Sequence, residues 1–166
     1  NPGWQDGNAA GKQVRVLRGH TAEVWGVDVS PDGKLAASAS RDKTVRVWEI
    51  ASGKSRFVLR GHQSEVWGVR FSPDGHRLAS GGSDGTLRMW DVDSGQGRIV
   101  GHHPGRVYWL AFHPGGRLVG VPCSDHTARI WDLDTGRFIV LRGHRGEVNY
   151  LQFSADGTLA ATTSDD

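Results

Sequence analysis

Residues suited to acid–base chemistry recur along the chain in a fixed order: a histidine, a serine or threonine 18 residues later, and an aspartate 4 residues beyond that. His62, Ser80 and Asp84 have the composition of a hydrolytic triad, in which a carboxylate orients an imidazole that takes the hydroxyl proton. His20, Ser38 and Asp42 repeat the set upstream, and His144, Thr162 and Asp166 repeat it downstream. Catalytic centres are rarely built in series. Hydrogen-bond networks are, because an unpaired buried polar group costs about 1–3 kcal/mol. The run Gly81-Gly82-Ser83-Asp84-Gly85 fits the G-x-S-x-G nucleophile turn, but that turn must open a helix, and Thr86-Leu87-Arg88-Met89-Trp90 reads as a strand.

A third copy of the set departs from the others. Val121 stands where a hydroxyl is expected before Asp125, His113 and Gly115 replace the serine and aspartate of a turn, and Pro122-Cys123 follow. A change at Asp125 is therefore expected to cost less than one at Asp84. Gly101-His102 matches the local dipeptide while His103 matches the register, so either histidine can be the equivalent of His62. Cys and His are zinc ligands, and His102, His103, His113, Cys123 and His126 invite that reading. No close Cys-x-x-Cys pairing accompanies them, and divergence of one unit is the plainer account. No metal or cofactor is expected; the alternative is an enzyme or metal-binding protein with a site in this third repeat.

The elements that carry these residues are themselves periodic. Turns at Ser30-Pro31-Asp32-Gly33, Ser72-Pro73-Asp74-Gly75, His113-Pro114-Gly115-Gly116 and Ser154-Ala155-Asp156-Gly157 recur at 41- or 42-residue intervals, as do Trp48, Trp90 and Trp131. A period of this size indicates a solenoid or a propeller. The 166 residues then hold about four units, none able to bury its own core. With 24 glycines, seven tryptophans and short alternating apolar runs, the units read as all-β.

Taken in order, residues 1–12 are a loop, with Trp4-Gln5 a degraded Trp-Asp position, and Gln13–Leu17 is expected to be a strand. Val24, Val27 and Val29 are apolar, and the spacing of three then two returns at Val66, Val69, Phe71, at Val107, Leu110, Phe112 and at Val148, Leu151, Phe153. Strict alternation cannot turn all three inward, so either a bulge or a strand that starts after a turn is expected near the first valine, with the next residue (Trp25, Trp67, Tyr108 or Asn149) projecting off the packed face. Further strands are expected at Leu35–Ser40, Arg77–Gly82, Arg117–Cys123 and Thr158–Ser164. The runs ending at Trp48, Trp90 and Trp131 are apolar on both faces, as in stacked sheets.

These markers together resemble the WD repeats of β-propellers. The resemblance implies four-stranded antiparallel blades over 13–166, with repeats near 13–53, 54–95, 96–136 and a truncated 137–166, and an incomplete ring. It also implies that the histidine, hydroxyl and aspartate join Trp48, Trp90 or Trp131 in a structural hydrogen-bond network, with His103 and Asp125 its third-unit members. A non-catalytic interaction scaffold, part of a larger regulatory protein, is the function it implies. The matching partner-binding positions lie at the rim of the central channel: Trp25, Trp67, Tyr108 and Asn149; Glu23, Glu65, Arg106 and Glu147; and Arg41, Ser83, Ser124 and Asp165. Aromatic rings beside carboxylates suit a protein or peptide with a basic segment.

The net charge of +2 arises from 20 basic and 18 acidic residues that are interspersed, which disfavours nucleic acid. No apolar run approaches the ~18 residues of a membrane helix. The single cysteine fits a reducing compartment, and a cytoplasmic location is expected. Further blades in cis or trans are the other expected partners.

Overall fold

The computed structural model describes residues 15–166, and every regular element in that range is a β-strand. The first sheet comprises β1 (Val24–Val29), β2 (Leu35–Ser40), β3 (Val45–Glu49) and β4 (Ser55–Leu59). The second comprises β5 (Val66–Phe71), β6 (Arg77–Gly82), β7 (Thr86–Asp91) and β8 (Gly97–His102). The third comprises β9 (Ala111–Phe112), β10 (Leu118–Pro122), β11 (Ala128–Asp132) and β12 (Phe138–Leu141). β13 (Val148–Phe153) and β14 (Ala160–Ser164) form a hairpin. Within each sheet the strands are antiparallel and stand in chain order, as blades of a propeller whose sheets do not close into a ring.

Each blade is shaped by the same local chemistry. Gly33, Gly75, Gly116 and Gly157 take φ between 72° and 77°, the left-handed conformation that ends the turn after the inner strand. In the first two blades and the last hairpin a serine hydroxyl at the turn start donates to the turn aspartate, as Ser72 Oγ does to Asp74 (2.5 Å). The three-then-two spacing is resolved by a bulge. Val24 pairs with Ser40 and Gly26 with Ala39, leaving Trp25 unopposed, and Trp67 and Asn149 are left unopposed in the same way.

The core lies between blades. Val66, Val69 and Phe71 of β5 cover Ala37, Ala39, Val45 and Val47 of the first blade, and β13 covers the third blade with Val148, Leu151 and Phe153. Small residues on the second strand of a blade admit the neighbour's side chains. A Cβ on Gly81 would lie 2.2 Å from Val107 Cγ1, and one on Gly120 would lie 2.1 Å from Leu151 Cδ2. The first blade's own inner face has no such cover among the described residues: Val24, Val27 and Val29 are 44%, 64% and 56% exposed, where Val66 and Val69 are fully buried.

The expected strand at Gln13–Leu17 is not found in the part that is described. Gln13, like Trp4, lies outside the described residues, and Arg15–Leu17 form no strand. An outer strand exists only against a third strand, and among the described residues every third strand is already paired on both sides. Its Arg15 guanidinium instead donates to the Ala51 carbonyl. β14 begins two residues later than expected because Thr158 N and Oγ1 are both held by Asp156 (3.0 and 2.9 Å).

Candidate interaction site

The histidine sets form chains of hydrogen bonds in which each proton has one destination. Trp48 Nε1 donates to Ser38 Oγ, and Trp90 Nε1 to Ser80 Oγ, both at 2.8 Å. Indole only donates, so each serine proton goes to histidine Nε2 (2.7 Å in His20, 2.8 Å in His62), leaving Nδ1–H for Asp42 (2.7 Å) or Asp84 (3.0 Å). Burial opposes the charge on Asp84, but hydrogen bonds from His62, Gln63 N and Thr86 prevail and hold its carboxyl well below the usual range. Ser80 is fully buried, with one lone pair engaged by the indole. A nucleophile needs a path of approach for its substrate; this hydroxyl has none. In the last hairpin His144 bonds Thr162 and Asp166 at 2.9 Å each.

The third blade rebuilds the chain. His103, not His102, occupies the buried position, and with no hydroxyl at Val121 to stand between them, Trp131 Nε1 bonds His103 Nε2 directly (3.1 Å). Arg129 lies between His103 Nδ1 (2.7 Å) and Asp125 Oδ2 (3.2 Å). A neutral imidazole has one bare nitrogen, so it satisfies one of these two donors, and a protonated ring satisfies neither. Burial first, then the Arg129 charge, push the His103 pKa down to about 4.

The predicted zinc candidates are dispersed in role. His113 Nδ1 accepts from Gly115 N (3.0 Å) and Nε2 donates to Gly157 O (3.1 Å) on the last hairpin. His126 is exposed at a positive-φ turn position (68°), where the second blade has Gly85. Cys123 is buried, which pushes its thiol up to about 11. Among the described residues no three His, Cys, Asp or Glu side chains converge as a metal would require.

The predicted rim residues are brought together at one end of the inner hairpins. The same backbone bond joins them in every blade: Arg41 N to Glu23 O (3.0 Å), Ser83 N to Glu65 O (2.8 Å), Ser124 N to Arg106 O (3.0 Å) and Asp165 N to Glu147 O (3.1 Å). Side chains add to it. Arg41 pairs with Glu23 (3.4 Å), Trp67 Nε1 donates to Ser83 Oγ (2.7 Å), Ser124 Oγ accepts from Arg106 N (2.9 Å), and Asn149 donates to Asp165. Because the bulge turns them off the packed face, Trp25 and Trp67 stack at 4.1 Å and 20°, and Tyr108 meets Trp67 edge-on at 5.6 Å. Both indoles are half-buried, whereas Tyr108 is 9% exposed because its hydroxyl reaches across to Glu147. Burial and that carboxylate raise the phenol pKa.

Two inner-edge aromatics escaped the sequence reading. Trp109 and Tyr150 occupy the register of Gly26 and Gly68, where a Cβ would lie 2.7 Å from the next blade's carbonyl, and Trp109 lies under the Arg70 guanidinium (5.6 Å). Aligning the four units on their first valine shows the exchange.

Four segments, residues 11–49, 53–91, 95–132 and 137–166, match the WD40 family, described as "WD domain, G-beta repeat". The chain belongs to the WD40 family. WD40 repeats build protein-interaction scaffolds. Among relatives, this WD40 chain is 40% identical over 43 residues to "Eukaryotic translation initiation factor 3 subunit I" of Aspergillus niger, covering 26% of the chain and 13% of that protein. It is 57% identical over 37 residues to "Ribosome biogenesis protein BOP1 homolog" of Drosophila virilis, covering 22% of the chain and 5% of that protein. The matched segments are thus about one repeat long and a small fraction of each relative. No helix among the described residues is long and apolar enough to cross a membrane.

Proposed function

We propose that this WD40 chain is a non-catalytic cytoplasmic scaffold, part of a larger regulatory protein, that engages a basic segment of a protein partner through the inner rim. The observation that carries the reading is the Trp25–Trp67 stack, half-buried at the same end of the hairpins as Glu23, Glu65 and Glu147. A cation over an indole face contributes about 0.5–2 kcal/mol, and neighbouring carboxylates speed its approach. The histidine–hydroxyl–aspartate sets serve the stability of the blades in this reading. The relatives' names, an initiation factor subunit and a ribosome biogenesis protein, agree with a place in a multi-component assembly.

The test is a titration with a blocked octapeptide alternating lysine and glycine, at low salt. Saturable binding that weakens about tenfold in Trp25→Ala is expected from the loss of one cation–indole contact. Binding of equal strength to Trp25→Ala and Trp67→Ala would remove the rim from the account.

A further inference from the structure

At the opposite end of the inner hairpins, where the Asp-Gly turns lie, side chains tie neighbouring blades across their seams. Between the second and third blades Arg77 Nη2 donates to Gly116 O (2.9 Å) and lies 4.0 Å from the Asp74 carboxylate. Between the third blade and the last hairpin His113 makes the corresponding bond to Gly157 O. Between the first and second blades the register of Arg77, which pairs with Asp91, belongs to Leu35, which pairs with Glu49. Leucine has no donor, and Gly75 O, the counterpart of Gly116 O, receives no side chain from the first blade. An open cleft of about 700 Å³ occupies this seam, floored by Leu35, Ile50 and Val92. Four carboxylates line it (Asp32, Glu49, Asp74 and Asp93) against two fixed cations (Lys34 and Arg56).

We propose that this cleft binds an arginine side chain of a partner polypeptide, its guanidinium taking the place that Arg77 holds in the next seam. The incoming group would donate to Gly75 O and face Asp32, the register equivalent of Asp74, while an apolar neighbour on the same segment covers Leu35 and Ile50. The excess of carboxylates favours a cation. A planar fork can meet a carbonyl and a carboxylate together, which selects arginine over lysine. The existing Lys34–Asp32 pair (3.2 Å) is solvent-exposed on both sides and gives way at little cost. The site is separate from the aromatic rim.

Amide chemical shifts of the whole chain, titrated with acetyl-Leu-Arg-amide and in parallel with its lysine and citrulline counterparts, test the proposal. The expected result is saturable shifts at Asp32, Gly33, Gly75 and His76, with the arginine probe binding about tenfold more tightly than the uncharged citrulline probe. Leu35→Arg should supply the guanidinium from within and abolish binding. Asp32→Asn keeps the turn acceptor and should weaken binding about tenfold, so it decides the matter even if Leu35→Arg does not fold. Equal affinity for arginine and citrulline, shifts confined to the rim, or unchanged binding in Asp32→Asn would overturn it.

Discussion

Replacing Asp84 by alanine removes the acceptor at the centre of the second blade's network. Four donors lose their partner: His62 Nδ1, Gln63 N (2.8 Å), Thr86 N (3.0 Å) and Thr86 Oγ1 (2.8 Å). Water can reach Gln63 N, which is exposed, so its loss is small. The His62 ring and Thr86 hydroxyl are buried, and stranding them costs about 1–3 kcal/mol between them after partial rearrangement. For a chain of this size that predicts a fall in Tm of about 2–12 °C. The pH dependence has a definite sign. The folded Asp84 carboxyl is held below its unfolded value of 3.8, so its contribution is fully present above that value and is lost as the pH falls through the lower, folded pKa. Thermal melts of the wild type and Asp84→Ala should therefore differ by a constant amount from pH 7 to about pH 5 and converge below about pH 4. Equal melting at pH 7, or a difference that grows with acid, would refute the structural role given to the network.

Further outcomes follow from the same contacts. His103 should titrate by imidazole NMR near pH 4, staying neutral where an unperturbed histidine is protonated; a midpoint at or above 6.5 would contradict its placement against Arg129. Asp125→Ala should cost as much as Asp84→Ala, because it strands the Arg129 guanidinium beside His103, and a markedly smaller melting shift would show that this ion pair contributes little. Gly136→Ala, in open space at φ 68°, should lose about 1–2 kcal/mol from backbone strain. Gly157→Ala, at φ 74° with the His113 ring 2.2 Å from the new Cβ, should lose about 1–3 kcal/mol more, read by denaturant midpoints. The isolated 166-residue chain should self-associate through Val24, Val27 and Val29, and Val27→Lys should lower its sedimentation-average mass; a monomer at all concentrations would count against an uncovered blade face.

The parts of this fold that were legible in the sequence are those specified by local, repeated chemistry. The three-then-two spacing implied a bulge or a turn near the first valine, and bulges are what free Trp25, Trp67 and Asn149; the recurring histidine, hydroxyl and aspartate anticipated which side chains meet. The third blade was misjudged because a missing hydroxyl at Val121 looks in one dimension like a broken network. In space Trp131 bonds His103 directly, and Arg129 bridges His103 to Asp125. The strand expected through Leu17 followed from resemblance to the runs before His62 and His144, but strand formation also needs a pairing edge, which sequence identity does not supply. The cleft beside Leu35 was invisible for a related reason: it exists by contrast with Arg77 in the adjacent seam, and seams are products of packing.

The claim that the inner rim is the binding surface can be tested most directly through the indole N–H resonances. Trp25 and Trp67 lie at the rim, while Trp48, Trp90 and Trp131 are buried within blades and serve as internal controls. On titration with the lysine–glycine octapeptide, the Trp25 and Trp67 signals should move together along one saturation curve, with the three core signals stationary and Asp32→Asn behaving as wild type. Stationary Trp25 and Trp67 signals at saturating peptide, or movement of the core indoles alone, would contradict the account.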